Sequence, residues 1–178
     1  MKDRLTLALC VNASGDCKVK PLLVYHSKTP IAFNARKVIK DKFPVMWRST
    51  AIAWEQEPIS HSGKPLFSQT VKQFLEEKRL SLKCLLELEN APAHHPGLEE
   101  DILVEYAFIK VLYLSPNTTP LLQPMDQQVI SNFKKSLRAQ TYPYHEFLKD
   151  HFVVVICLKI IDTAWREVSK STLNSTWK

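Results

Sequence analysis

The sequence predicts an α/β fold, a mixed β-sheet with helices on its faces. Three observations carry that prediction. A run of strand formers near the start turns back on itself, two apolar runs of strand length lie further along, and apolar residues at helical spacing occur between and after them. With 178 residues, 45% of them hydrophobic, the chain can bury one good core. A single domain over 1–178 is therefore expected, with 140–178 as a helical C-terminal extension.

The elements follow in order. Arg4-Leu-Thr-Leu-Ala-Leu-Cys-Val-Asn12 is rich in strand formers and stops at the turn Asn12-Ala-Ser-Gly15-Asp. Lys18-Val-Lys-Pro-Leu-Leu-Val-Tyr25 resumes the pattern, so the two segments should form a β-hairpin. Pro21 cannot donate to a ladder, which makes its strand an edge or bulges it there. From His26 to Ser62 prolines at 30, 44 and 58 interrupt any period. That stretch reads as loop with short elements, pinned to the body by Trp47 and Trp54.

Leu66, Phe67, Val71, Phe74 and Leu75 fall at helical spacing and predict an amphipathic helix over 66–79. Leu82 to Glu89 reads as a short strand of the kind buried mid-sheet. A short helix over 98–107 and a strand from Phe108 to Leu114 are expected next. Met125 to Ala139 reads as a helix with Val129, Ile130, Phe133 and Leu137 on one face. In the tail, Phe147, Leu148, Phe152, Val155 and Ile156, then Ile160, Ile161, Ala164, Trp165 and Val168, fit further helices. Ser171-Thr-Leu-Asn is expected to cap one more.

Composition narrows the function. No apolar run approaches the roughly 18 to 20 residues of a membrane span, and Met1-Lys-Asp-Arg lacks a signal-peptide core, so the expectation is a soluble, intracellular protein. Cys10, Cys17, Cys84 and Cys157 form no CxxC pair and read as reduced thiols, with Cys84 and Cys157 in apolar surroundings. Cys10, Cys17 and His26 match no common metal spacing. The net charge of +6 is uneven: residues 1–48 carry ten Lys/Arg against three acids, 132–178 eight against four, and 49–131 six against eleven. Basic flanks around an acidic centre suit a polyanion held about a carboxylate site, although an ordinary solvated surface gives the same totals. No serine or cysteine stands in a nucleophile-elbow context. His94-His95, near Glu99, Glu100 and Asp101, reads as a solvated loop rather than a ligand set.

Two acids stand where strands or loops meet helices. Glu89 closes the 82–89 strand, and Asp126 follows the loop Thr118-Thr-Pro-Leu-Leu-Gln-Pro-Met125. Carboxylates gathered at one sheet edge are what a two-metal phosphoryl-transfer site uses. The plainer readings are a polar strand end and a helix N-cap.

At these residues the chain resembles the catalytic domain of Tigger and pogo-type DDE transposases, whose relatives include jerky proteins and centromere protein B. The segments that carry the resemblance are Arg4 to Gly15, Lys20-Pro-Leu-Leu-Val-Tyr25, Glu89-Asn-Ala-Pro-Ala-His94, Pro116-Asn-Thr-Thr-Pro-Leu-Leu-Gln-Pro-Met-Asp-Gln127 and Trp165-Arg-Glu-Val-Ser-Lys-Ser-Thr-Leu-Asn174. The resemblance implies an RNase H-like mixed sheet flanked by helices, Mg²⁺ as cofactor, DNA as partner and the nucleus as location. It implies three metal-binding acids, of which Glu89 matches the second and Asp126 the third. The first belongs to a strand ahead of Arg4, so the first strand and its acid are expected to be missing, as are the family's DNA-binding helix-turn-helix regions.

Departures from the pattern bear on activity. Glu89 replaces an aspartate and is longer by a methylene, which moves its oxygens by about 1 Å, enough to cost roughly a hundredfold in rate. Glu87 puts a charge on what should be a buried strand, and Gln128 replaces a glycine. The sequence therefore predicts weak or no Mg²⁺ binding at Glu89 and Asp126, no productive cleavage, and weak, non-specific DNA binding through Lys2, Arg4, Lys134, Lys135 and Arg138. Its rivals are an active Mg²⁺-dependent endonuclease recruiting Asp3 or Asp16, and a decayed or protein-interaction module.

Overall fold

A computed structural model describes residues 5–31, 33, 43–49, 64–88, 106–115, 125–144, 154–175 and 177. The hairpin is present. Strand β1 (Thr6–Ala8) pairs antiparallel with β2 (Leu22–Tyr25), Thr6 opposite Val24. Nearer the turn the arms meet at the Val11–Lys18 bridge, with Val19 N–H donating to the Cys10 carbonyl. From Cys10 to Ala8 the first arm advances two residues while the second, from Val19 to Leu22, advances three. The extra residue is a β-bulge at Lys20–Pro21, where the missing proline N–H goes unused. The edge alternative fails, because β2 is the middle strand of the order β1-β2-β3. The Pro21 carbonyl accepts from Met46 N–H at 2.8 Å, just before the parallel pairing of β2 with β3 (Met46–Ser49) begins.

Strand β3 lies within the stretch read as loop. Trp47 on it is buried and meets Tyr25, Phe33 and Phe43 ring to ring at 5.6, 4.8 and 6.3 Å, so the expected pin is real. Trp54 lies outside the described residues, as does the helix expected at 98–107 apart from its last two positions.

The chain divides into two compact units, Met1–Ala51 with Pro124–Lys178, and Ile52–Gln123. In the first, Leu5, Leu7, Leu9 and Val11 alternate toward the core, as a half-buried strand requires. Helices α2 (Ile130–Thr141), α3 (Val154–Glu167) and α4 (Lys170–Ser175) join it among the described residues. On α3, Val154, Leu158, Ile161, Ala164 and Trp165 form one buried stripe at helical spacing. The Trp165 indole sits edge-on to Phe133 at 6.2 Å and donates to the Val19 carbonyl at 3.1 Å. The Lys18 ammonium donates to the carbonyls of Trp165, Arg166 and Val168 and lies 5.4 Å from the Trp165 ring. A cation is thus held at the negative end of α3, while burial lowers the Lys18 pKa.

Helix α4 begins two residues earlier than the Ser171 cap predicts. Ser169 is its N-cap, accepting from Thr172 N–H at 3.1 Å, and Ser171 is inside the first turn. Ser169 faces Ser171 and Thr172 with its hydroxyl, and the cluster offers either serine as acceptor.

The second unit contains α1 (Lys64–Glu77), two residues ahead of the predicted span, and a parallel pair, β4 (Cys84–Leu88) with β5 (Ile109–Tyr113). Helix α1 ends in a Schellman turn: Leu80 N–H reaches the Leu75 carbonyl, Arg79 N–H reaches that of Glu76, and Arg79 has φ of 54°. Ile109 and Val111 are buried with Phe67, Cys84, Leu86 and Leu88 around them. The other face carries Leu85 and Leu112, 59% and 44% exposed. The strand expected to be buried mid-sheet at 82–89 differs: among the described residues β4 pairs with β5 alone, and its Leu85 face is open. Glu87 is on that open face and only part-buried, so it escapes the cost of a fully buried charge.

Candidate functional site

Asp126 is the predicted acid that falls within the described residues. It lies in a π turn, Met125–Val129, that runs directly into α2. Val129 is fully buried and Met125 packs against the same core, which leaves Asp126 and Gln128 exposed. The side chain of Asp126 accepts no hydrogen bond among the described residues, and Val129, with helical φ and ψ of −61° and −53°, carries the π turn into α2 with no side-chain cap between them. The plainer N-cap reading of Asp126 is therefore not what the structure contains. Wide π turns within helices recur at functional positions.

Around this turn three of the segments singled out in the sequence come together: the hairpin turn, the described end of the Asp126 motif and the stretch that forms α4. Helix α4 packs beside the π turn, and Asn132 Nδ2 on α2 reaches Thr172 Oγ1 at 3.5 Å. The hairpin turn docks onto the same short helix. Gly15 has φ of +69°, and a Cβ there would stand 2.9 Å from Leu173 Cβ and 3.0 Å from the Lys170 carbonyl, so only glycine fits. Asn12 organises the turn, accepting from Cys17 N–H at 2.9 Å and donating to Ser14 and Asp16 at 2.8 Å each. Ser14 also donates to Asp16, and these bonds, with Lys170 nearby, lower the Asp16 pKa to about 2. Asp16 is thus occupied as a turn carboxylate.

The model family described as "DDE superfamily endonuclease" matches residues 2–177. The chain belongs to that family. Similar proteins of the pogo/Tigger group include the Jerky protein of Mus musculus, 26% identical over 99% of this chain and 31% of its own length. Tigger transposable element-derived protein 7 of Homo sapiens is 31% identical over 77% of this chain and 25% of its own. The CENP-B homolog protein 2 of Schizosaccharomyces pombe is 27% identical over 77% and 26%. This transposase-derived DDE-family chain spans about a quarter to a third of the length of these relatives. No solved structure matches it.

Other predicted site residues of the DDE-family chain fare differently. Glu89, Lys2, Arg4 and Asp3 lie outside the described residues, as do His94, His95 and the loop 116–124. A pair of divalent ions needs several oxygen donors within a few ångström of one another. Among the described residues no three His, Cys, Asp or Glu side chains gather to hold an ion; Asp126 by itself does not make up a two-ion site. None of the four cysteines is in a disulfide, and burial raises the pKa of Cys84 and Cys157. Among the described residues no helix is long and apolar enough to cross a membrane.

The basic candidates Lys134, Lys135 and Arg138 are all exposed on α2. None of the three is ion-paired among the described residues. The nearby acid Glu167 is engaged on another side of α2 by Ser136 and by Gln140, the latter at 2.8 Å. Sequence reasoning passed over Lys18, because a lysine in a strand pattern gives no hint that it will cap a helix more than 140 residues away. It also passed over Tyr142, which continues the 3.6-residue repeat of the basic residues beyond the predicted helix end.

Proposed function

We propose that this chain is a DNA-binding derivative of a DDE transposase catalytic domain that does not cut DNA productively. The observation that carries the proposal is the exposed face of α2, where Lys134, Lys135 and Arg138 stand without acidic partners among the described residues. Phosphates fit such a row, and the binding is sequence-independent and salt-dependent. Lys2 and Arg4 add to it. The nucleus is the compartment in which this activity has a substrate.

The inference of silent chemistry rests on Glu89, whose extra methylene displaces one of the three acids that the resemblance implies for holding the metals. Glu89 and Asp126 then hold Mg²⁺ weakly if at all. The same reading makes both compact units parts of one domain over 1–178, with an RNase H-like sheet order and 140–178 as its helical extension.

Two measurements test this. Binding of fluorescent duplex DNA at low salt should fall at least tenfold when Lys134, Lys135 and Arg138 are replaced together by Glu; unchanged binding overturns the DNA reading. Supercoiled plasmid incubated with Mg²⁺ or Mn²⁺ should stay uncut. Nicking that disappears in Asp126→Ala would establish the active endonuclease instead.

A further inference from the structure

We infer that Tyr142 is a base-stacking platform at the end of the basic face of α2, so that this surface takes single-stranded DNA in preference to duplex. The inference rests on the DNA-binding reading above and names the form of DNA bound.

Tyr142 is 83% exposed. An aromatic ring that far in water forgoes the burial that usually fixes it. Tyr25 in the same unit, by contrast, is 7% exposed. The position is set by the helix. Its backbone φ and ψ of −53° and −44° continue α2, and its N–H donates to the Arg138 carbonyl. At 3.6 residues per turn, Lys134, Arg138, Ser131, Tyr142 and Lys135 follow one another around about 100° of the circumference, all in the stretch that Val129, Phe133 and Leu137 leave to solvent. Along the axis, Lys134, Arg138 and Tyr142 are spaced by about 6 Å per step. The ring therefore stands one helical turn beyond the guanidinium, within the same exposed sector.

Pro143 follows at once and stiffens the turn Tyr142–Tyr144. A tyrosine has only two side-chain torsions to immobilise, so little entropy is lost when it is covered. Cations that hold the sugar-phosphate backbone beside an aromatic face that accepts a base are the two parts of a single-strand site, and stacking of this kind tolerates any base. Duplex DNA offers phosphates to the cations but no base face to the ring, because its bases are already stacked and unstacking them costs energy. Tyr144 supplies the internal comparison. Two residues further round a 3₁₀ turn it leaves the basic sector, and it is 45% exposed.

The test is fluorescence anisotropy at low salt with three probes: an oligo-dT, an abasic oligonucleotide of the same length and charge, and a duplex. Oligo-dT should bind about tenfold more tightly than the abasic strand. Tyr142→Ala should abolish that ratio while leaving abasic and duplex binding as they were, and Tyr142→Phe and Tyr144→Ala should preserve it. An unchanged ratio in Tyr142→Ala, with binding still lost on replacing Lys134, Lys135 and Arg138 by Glu, overturns the stacking role and leaves the phosphate contacts standing. Indifference of all three probes to the charge reversal overturns both.

Discussion

The two compact units differ in how they use the hydrophobic effect. In the first, strands from near the start of the chain and helices from its last third share one core that includes Leu23, Trp47, Phe133, Leu158 and Trp165, and β2 is buried along its whole length. In the second, among the described residues, Ile109 and Val111 are the buried pair of the β4–β5 ribbon, whose other face shows Leu85 and Leu112 to water. A two-stranded ribbon is marginal by itself and needs further strands or a helix packed against it, which Phe67 of α1 supplies on the buried face. Among the described residues, the buried apolar side chains gather where α3 supplies a full apolar stripe.

The contrast is most open to attack at Trp165. Trp165→Ala should cost about 4 kcal/mol, since an aromatic side chain leaves a cavity and a lost indole bond, and urea unfolding should show the loss in the first unit. Hydrogen exchange should find β2 and α3 protected well beyond β4 and β5. Better protection of β4 and β5 would reverse the ranking of the units.

Gly15→Ala comes next, at about 2 kcal/mol, because the new methyl group combines a left-handed backbone with a clash against Leu173 and Lys170. A neutral result in thermal unfolding would mean that the hairpin turn is not docked on α4. A smaller effect belongs to Asp16, and it depends on pH. Its carboxyl titrates near 2 in the fold against 3.8 in an unstructured chain. The folded state therefore favours the anion, and the contribution is complete above about pH 4 and is lost as pH falls through about 2. Asp16→Asn should flatten the decline of the urea midpoint across that window; a decline as steep as the parent's would assign it to other carboxylates.

The smallest change sharpens the second unit. Arg79→Gly should stabilise α1 by about 0.5 kcal/mol, because arginine pays a penalty at φ of 54° that glycine avoids, partly offset by glycine's looser unfolded chain. Calorimetry that finds a loss would point to contacts of the arginine side chain that outweigh the backbone.

Elements with a strong period were readable in advance. The hairpin, α1, β4, β5, α2 and α3 all lie within a few residues of where alternation or 3.6-residue spacing put them. Strand β3 was not readable. Four residues beginning two positions after Pro44 carry no alternation, and the parallel partner that stabilises them is more than twenty residues away. The mid-sheet expectation for β4 failed because an apolar run reports affinity for a core and not the presence of cover on both faces. The α4 cap moved from Ser171 to Ser169 because either hydroxyl satisfies the sequence rule and only the packing of Leu173 selects the register. At the site, Asp126 was legible through its motif. Tyr142 was not, since it falls just past the apolar pattern that defined the helix.

The grip of Lys18 and Val19 on Trp165 and its neighbours also governs how the chain is born. These bonds join residues separated by about 150 positions, so the hairpin leaves the ribosome long before its clasp exists. At roughly 5 to 20 residues per second, the wait is on the order of ten seconds. During that time β2 has β3 and Trp47 beside it but not the helices of the last third, which makes the nascent hairpin a natural client for chaperones and gives this unit the slow folding expected of distant pairings.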